Sequence, residues 1–287
     1  MDAAEFAASR RFADTPFGRI AYVEKGRGPA ALFFHGAFLN SYQWRDVIDG
    51  CADARRCLAF DNLGHGHTEV GAGQPVDFDT QAAAAASFLD ALAVEKVDIV
   101  GNDSGGGIAQ VFAARWPGRV RSLCLTNCDV YTNSPPPSFE RTIDAFRAGM
   151  TAQVCQRLVS DVRFARSDVA FGLAFERPEA LLAETLEVYL GPIVSSPERV
   201  AAFERFVLSL APKHTVEIAG ALRQLDAPTL IAWGTDDRTF ELKWAYWLAG
   251  AIPGARPVVE VEGARLFWPE ERPGQLSDLL REHWTST

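Results

Sequence analysis

The stretch Val97-Asp98-Ile99-Val100-Gly101-Asn102-Asp103-Ser104-Gly105-Gly106-Gly107 decides the fold. An apolar run of strand character ends in Gly-x-Asp-x-Gly. A helical pattern, GIAQVFAARW, follows and is stopped by Pro117-Gly118. A strand that turns sharply into a helix forces strained backbone angles on the residue at its tip, and the positions flanking that tip must be small so that strand and helix can close. Gly101 and Gly105 meet this need two residues either side of Asp103. A second register puts Ser104 at the tip between Asn102 and Gly106, but it leaves the Asn102 side chain where strand and helix must meet. Asp103 is therefore placed at the tip. A glycine turn without chemistry also fits this stretch taken alone.

Outward from the turn, short apolar runs alternate with helical patterns, as a mostly parallel sheet with crossover helices requires. Residues 19–25 read as an early antiparallel strand. Residues 30–36, 56–62, 96–103, 120–129, 228–237 and 257–263 read as further strands. Continuous apolar character, as in Asp98-Ile99-Val100, suits strands buried on both faces. Helices are expected over 81–93, 107–116 and 276–284, the first rich in alanine, the best helix former. Residues 131–225 break this rhythm. They open with Ser134-Pro135-Pro136-Pro137 and run helically, carrying Phe139, Phe146, Phe164, Phe171, Phe175, Phe203 and Phe206. The reading is an α/β core over 1–130 and 226–287 with a helical cap over 131–225. Some of the phenylalanines are expected in a pocket beneath the cap and the others in plain core.

Composition narrows the function classes. The 287 residues are 48% hydrophobic and 23% charged, which suits a globular chain with a sizeable core. The formal net charge of -9, with no lysine or arginine run, argues against nucleic acid or an anionic membrane surface as partner. The five cysteines form no CxxC pair, the N-terminus has no apolar signal core, and no stretch approaches a membrane span. A reduced, cytoplasmic protein acting on a small molecule is expected. No His/Cys/carboxylate cluster has metal-ligand spacing and no phosphate-binding glycine signature accompanies the turn, so neither a metal nor a cofactor is expected.

Other motifs stand in order around the turn. They are His35-Gly36-Ala37-Phe38, Asp61-Asn62-Leu63-Gly64-His65-Gly66-His67-Thr68, Trp233-Gly234-Thr235-Asp236-Asp237 and Glu270-Glu271-Arg272-Pro273. With the elbow they resemble the α/β-hydrolase fold over residues 17–130 and 226–285. The aspartate at the tip resembles the branch of haloalkane dehalogenases, epoxide hydrolases and fluoroacetate dehalogenases, in which an Asp carboxylate attacks carbon and forms an ester intermediate. That resemblance implies Asp103 as nucleophile, the backbone N–H groups of Ala37 and Ser104 as oxyanion hole, and Asp237 as supporting acid, with Asp236 its alternative by one register. Phe38 and Phe267 would meet substrate. His35, His65 and His67 read as turn-supporting or exposed.

One departure from the pattern bears on the chemistry. The family's histidine lies after the last strand, seven residues before a proline. In Gly263-Ala264-Arg265-Leu266-Phe267-Trp268-Pro269-Glu270-Glu271-Arg272-Pro273 that position is Leu266, and residues 215–282 contain no histidine. A carboxylate needs no base to attack, but hydrolysis of its ester draws on a general base contributing about 10²–10⁴-fold. His214, where the insertion returns to the core, is the candidate substitute, with a solvated helix-start residue as its plain alternative. Arg265 stays protonated and is assigned instead to holding an anionic substrate.

Substrate leaving-group contacts also differ. Ser104 stands where dehalogenases of this branch carry a Trp, and no Trp occurs between Trp116 and Trp233. Of the tyrosines, only Tyr131 and Tyr189 fall in the insertion. The family's alternative acid position, after the strand that follows the elbow helix, falls near Asn127 or Asp129. Three readings follow: an Asp103-nucleophile enzyme with impaired ester hydrolysis, a lyase, isomerase or cyclase using Asp103 as general base, and a ligand-binding protein without catalysis.

Overall fold

A computed structural model describes residues 1–285. Eight strands form one sheet: β1 Arg11–Thr15, β2 Gly18–Lys25, β3 Ala30–Phe34, β4 Arg56–Phe60, β5 Val97–Asp103, β6 Val120–Cys128, β7 Thr229–Gly234 and β8 Val259–Val261. Their spatial order is β1-β2-β4-β3-β5-β6-β7-β8. β2 pairs antiparallel with β1 and β4, and every other neighbour is parallel. All residues of β3 and β7 are buried, because helices cover both faces of the parallel part.

The expected core strands are present, and β2 is antiparallel as read. The expected helices are present too, each starting about three residues earlier, at Phe78–Ala91, Ser104–Arg115 and Pro273–Thr285. Asp77 caps the first of these by accepting a hydrogen bond from the Thr80 amide at 2.9 Å, and Ala82, Ala85 and Leu89 lie on its buried face. Strand β1 and the helices Arg45–Cys51 and Lys243–Ala251 were not anticipated.

The topology places the site. From β3 the chain crosses to β4 on one side and later returns to β5 on the other. The turns after β3 and β5 therefore diverge and leave a crevice at the carboxyl ends of the strands. Between β6 and β7 runs a long helical insertion, including Glu140–Arg147, Thr151–Ser160, Ala183–Val194 and Pro197–Ser209. Phe38, at the end of the turn after β3, meets four of its phenylalanines edge-on: Phe139, Phe146, Phe171 and Phe203, with ring centroids 5.8, 6.2, 6.0 and 5.0 Å away. No helix among the described residues is long and apolar enough to cross a membrane. The five cysteines are buried and unpaired.

Candidate active site

Strand β5 ends on Asp103, and the helix Ser104–Arg115 starts at the next residue. Asp103 has φ 56° and ψ -134°, a conformation costing on the order of 1–3 kcal/mol for a residue with a side chain. The surroundings impose it. A Cβ on Gly105 would lie 2.3 Å from the Phe34 carbonyl oxygen, and one on Gly101 would lie 2.8 Å from the Gly105 carbonyl oxygen. Asn102 turns into the core, accepting from Gln43 Nε2 at 2.7 Å and donating to the Leu266 carbonyl at 3.0 Å. The tip side chain is thus that of Asp103, as the glycine spacing indicated.

The turn after β3 meets Asp103. The Ala37 amide donates to Asp103 Oδ2 at 2.8 Å, and a Cβ on Gly36 would come within 2.6 Å of the same oxygen. Two histidines brace this turn from behind. The Asn62 amide donates to His35 Nε2 at 2.9 Å, so the ring proton sits on Nδ1 and is donated to the Gly36 carbonyl at 2.8 Å. His65 Nε2 lies 2.6 Å from the Ala37 carbonyl. Burial lowers His35 to about 4 and His65 to about 3, so both rings stay neutral supports.

Three carboxyl groups gather at the strand ends. Burial raises Asp103 to about 7. The Ala37 and Ser104 amides favour its charged form, and the charge on Asp237 opposes it. Asp237 is held by Asn127 Nδ2 at 2.8 Å and by the Thr239 amide at 2.7 Å, and burial lifts it to about 6. Asp236 is exposed, whereas Asp237 is buried at the strand ends. Asp129 follows β6, and its amide donates to the Asp103 carbonyl at 3.3 Å. Burial and then the Asp103 charge push its carboxyl well above the usual range. The Asp237 charge thus opposes ionisation of Asp103, and the Asp103 charge opposes ionisation of Asp129. The sequence reading gave Asp129 only as one of two positions for an alternative acid. The other, Asn127, instead braces Asp237, accepting from the Gly234 amide at 2.7 Å and Trp268 Nε1 at 3.1 Å. The available signal for Asp129 was an acidic residue closing the apolar run of β6.

A cavity of about 500 Å³ opens between these turns and the insertion. Its floor includes Ala37, Asp103, Ser104 and Asp129, and its walls include Phe38, Leu266, Phe267, Phe139, Phe164 and Phe171. Phe146, Phe203 and Phe206 pack instead as buried core. Asp237 sits behind the wall, with Thr239 of its loop in the lining. Among the described residues, no histidine, tyrosine or tryptophan lines the cavity.

Two of the expected site residues lie outside the cavity lining. His214 does not line the cavity. Its Nδ1 lies 3.1 Å from Asp79 Oδ2 and its Nε2 3.3 Å from the Ser209 carbonyl, because it packs between the helix Phe78–Ala91 and the end of the insertion. Arg265 donates to the Gly172 carbonyl at 3.1 Å and the Phe175 carbonyl at 3.0 Å and does not line the cavity, although its charge favours the ionised form of Asp237. It fastens the insertion to the loop after β8, together with a hydrogen bond from the Phe267 amide to the Ala174 carbonyl at 3.0 Å.

The sequence and the fold resemble known proteins. A family model described as alpha/beta hydrolase fold matches residues 29–271. The chain is 28% identical over 280 residues to haloalkane dehalogenase 2 of Mycobacterium tuberculosis, covering 96% of this chain and 94% of that protein. It is 31% identical over 267 residues to 2-hydroxymuconate semialdehyde hydrolase of Pseudomonas sp. (strain CF600), covering 90% and 87% of the two chains. The structure of the epoxide hydrolase CorEH superposes with a TM-score of 0.81 at 22% identity, over 96% of this chain and 98% of that one. With the elbow, the sheet order and the turn after β3 all in place, the chain belongs to the alpha/beta hydrolase fold family.

Proposed function

We propose that this protein is an α/β-hydrolase-fold enzyme acting on a small, largely apolar electrophile held beneath a helical cap, with Asp103 as the nucleophile. The observation that carries this reading is the Ala37 amide on Asp103 Oδ2 at 2.8 Å. One carboxylate oxygen rests on the donors that stabilise an oxyanion, and the other is left to attack carbon. The phenylalanine walls suit a largely apolar substrate body, with Glu140, Arg141 and Asp168 also in the lining. Leu266 stands at the family's histidine position and is 5% exposed in the cavity wall. It cannot take a proton from water, so an ester on Asp103 forms more readily than it is hydrolysed.

A second reading rests on the same carboxyl being raised to about 7, a value suited to a general base in a lyase or isomerase reaction. The two readings part on covalent chemistry. Incubation with a haloalkane and epoxide panel, followed by intact mass and product, gives a persistent adduct under the nucleophile reading. Asp103→Asn then forms none. Product without any adduct, at a rate lost in Asp103→Asn, would favour the general base. Activity untouched in Asp103→Asn would overturn both.

A further inference from the structure

Two polar groups on the cavity floor have no use in the chemistry above. Asp129 is 2% exposed and Ser104 is 1% exposed, and both line the cavity; Ser104 Oγ and Asp129 Oδ1 have no hydrogen-bond partner, although the Ser134 side chain beside Asp129 favours its charged form. Buried polar atoms are nearly always paired, and leaving one unpaired costs about 1–3 kcal/mol. Two such atoms on one cavity floor mark where a ligand supplies the missing partner. They also flank the tip. Ser104 follows Asp103 in the chain, and the Asp129 amide is bonded to the Asp103 carbonyl at 3.3 Å.

We propose that Asp129 is the proton donor for the leaving atom, with the Ser104 hydroxyl donating beside it, so that the site favours electrophiles whose leaving atom is oxygen. The inference rests on Asp103 as nucleophile. Burial and the Asp103 charge both push the Asp129 carboxyl well above the usual range, against the opposing Ser134 side chain, so it is the floor carboxyl that favours its protonated form beside an ionised Asp103. A halide leaves as a stable anion and is best held by N–H donors, and among the described residues no tryptophan side chain lines this cavity. An alkoxide leaves only as it is protonated, and a neutral carboxyl supplies that proton. In the step, Asp103 forms a C–O bond to the substrate carbon, and the carbon–oxygen bond of a strained ring breaks. The electron pair goes to the ring oxygen, which takes the Asp129 proton. The products are a hydroxyalkyl ester on Asp103 and an Asp129 carboxylate, so the single negative charge moves from one buried group to the other. Later hydrolysis of the ester releases one proton, which restores Asp129.

The test pairs a bromoalkane with an epoxide of the same chain length, and intact mass follows the rate of adduct formation on the full chain. Wild type is expected to react with both. Asp129→Asn should keep the bromoalkane rate within a few-fold and lose about 10²–10⁴-fold with the epoxide. Ser104→Ala should show a smaller loss confined to the epoxide. Thermal melts establish that each variant is folded, and Asp129→Ala, smaller at every atom, carries the same expectation should the Asn variant misfold. An Asp129 variant that opens the epoxide at the wild-type rate overturns the inference, and so does equal loss with both reagents in a folded variant. Absence of any bromoalkane adduct on wild type would instead bring down the nucleophile reading.

Discussion

Leu266→His tests whether a missing base is what limits this site. The surrounding parts of the relay are present. The Leu266 carbonyl is fixed by Asn102 Nδ2 at 3.0 Å, and its side chain lines the cavity with Asp103. Asp237 accepts hydrogen bonds from Asn127 and Thr239, with the Phe240 amide also favouring its charged form, and a carboxylate with about four acceptor sites keeps one for an imidazole N–H. A general base contributes about 10²–10⁴-fold, which corresponds to roughly 3–5 kcal/mol of barrier. The assay forms the alkyl adduct on wild type and on Leu266→His, removes reagent, and follows the decay of the added mass. Decay should accelerate by that factor above pH 6, where Asp237 is ionised, and the gain should shrink as Asp237 takes up its proton near its value of about 6. A folded Leu266→His variant whose adduct decays at the wild-type rate would refute the reasoning.

Asp103→Asn should stabilise the fold in a pH-dependent way. A carboxyl raised from 3.8 to about 7 by burial keeps its proton longer folded than unfolded, so its favourable contribution, full below about 3.8, is lost as pH rises through about 7. The variant escapes that loss and should gain up to about 4 kcal/mol over wild type at pH 8 and little at pH 4; an equal gain in melts at both would contradict it. Gly105→Ala should destabilise by about 3 kcal/mol, at the upper end for overpacking, because its Cβ would meet the Phe34 carbonyl at 2.3 Å and the His35 carbonyl at 2.5 Å. Chemical denaturation checks this, and a loss below about 1 kcal/mol would show that the elbow can relax. His214→Ala should lower the melting temperature by removing a buried ring bonded to Asp79, yet leave adduct formation and decay unchanged. A changed decay rate would return His214 to the mechanism.

What the sequence made legible followed from local rules. Gly101 and Gly105 identified the tip because close approach of strand and helix is a constraint on two residues near in the chain. The buried strands declared themselves by unbroken apolar runs, since both faces are covered. Other features depended on contacts between distant segments. Arg265 read as an anion site from its charge alone, and only the meeting of residues 172–175 with the loop after β8 shows that carbonyls take its donors. His214 stood at the right place in the order of elements but faces the helix Phe78–Ala91. Asp129 was legible only as one of two positions for an alternative acid, because its burial and its place beside Asp103 arise from the pairing of β5 with β6. The phenylalanines of the insertion divided between cavity wall and core according to helix packing, which spacing does not encode.

Covalent attack by Asp103 is the central step proposed for this site. The measurement that tests it most directly is peptide mapping of the protein after reaction with a bromoalkane. One alkyl group, located on the peptide containing Asp103 and absent from Asp103→Asn, is the expected result. A protein that turns the reagent over with no adduct at any time, or that carries the alkyl group on another residue, would contradict it.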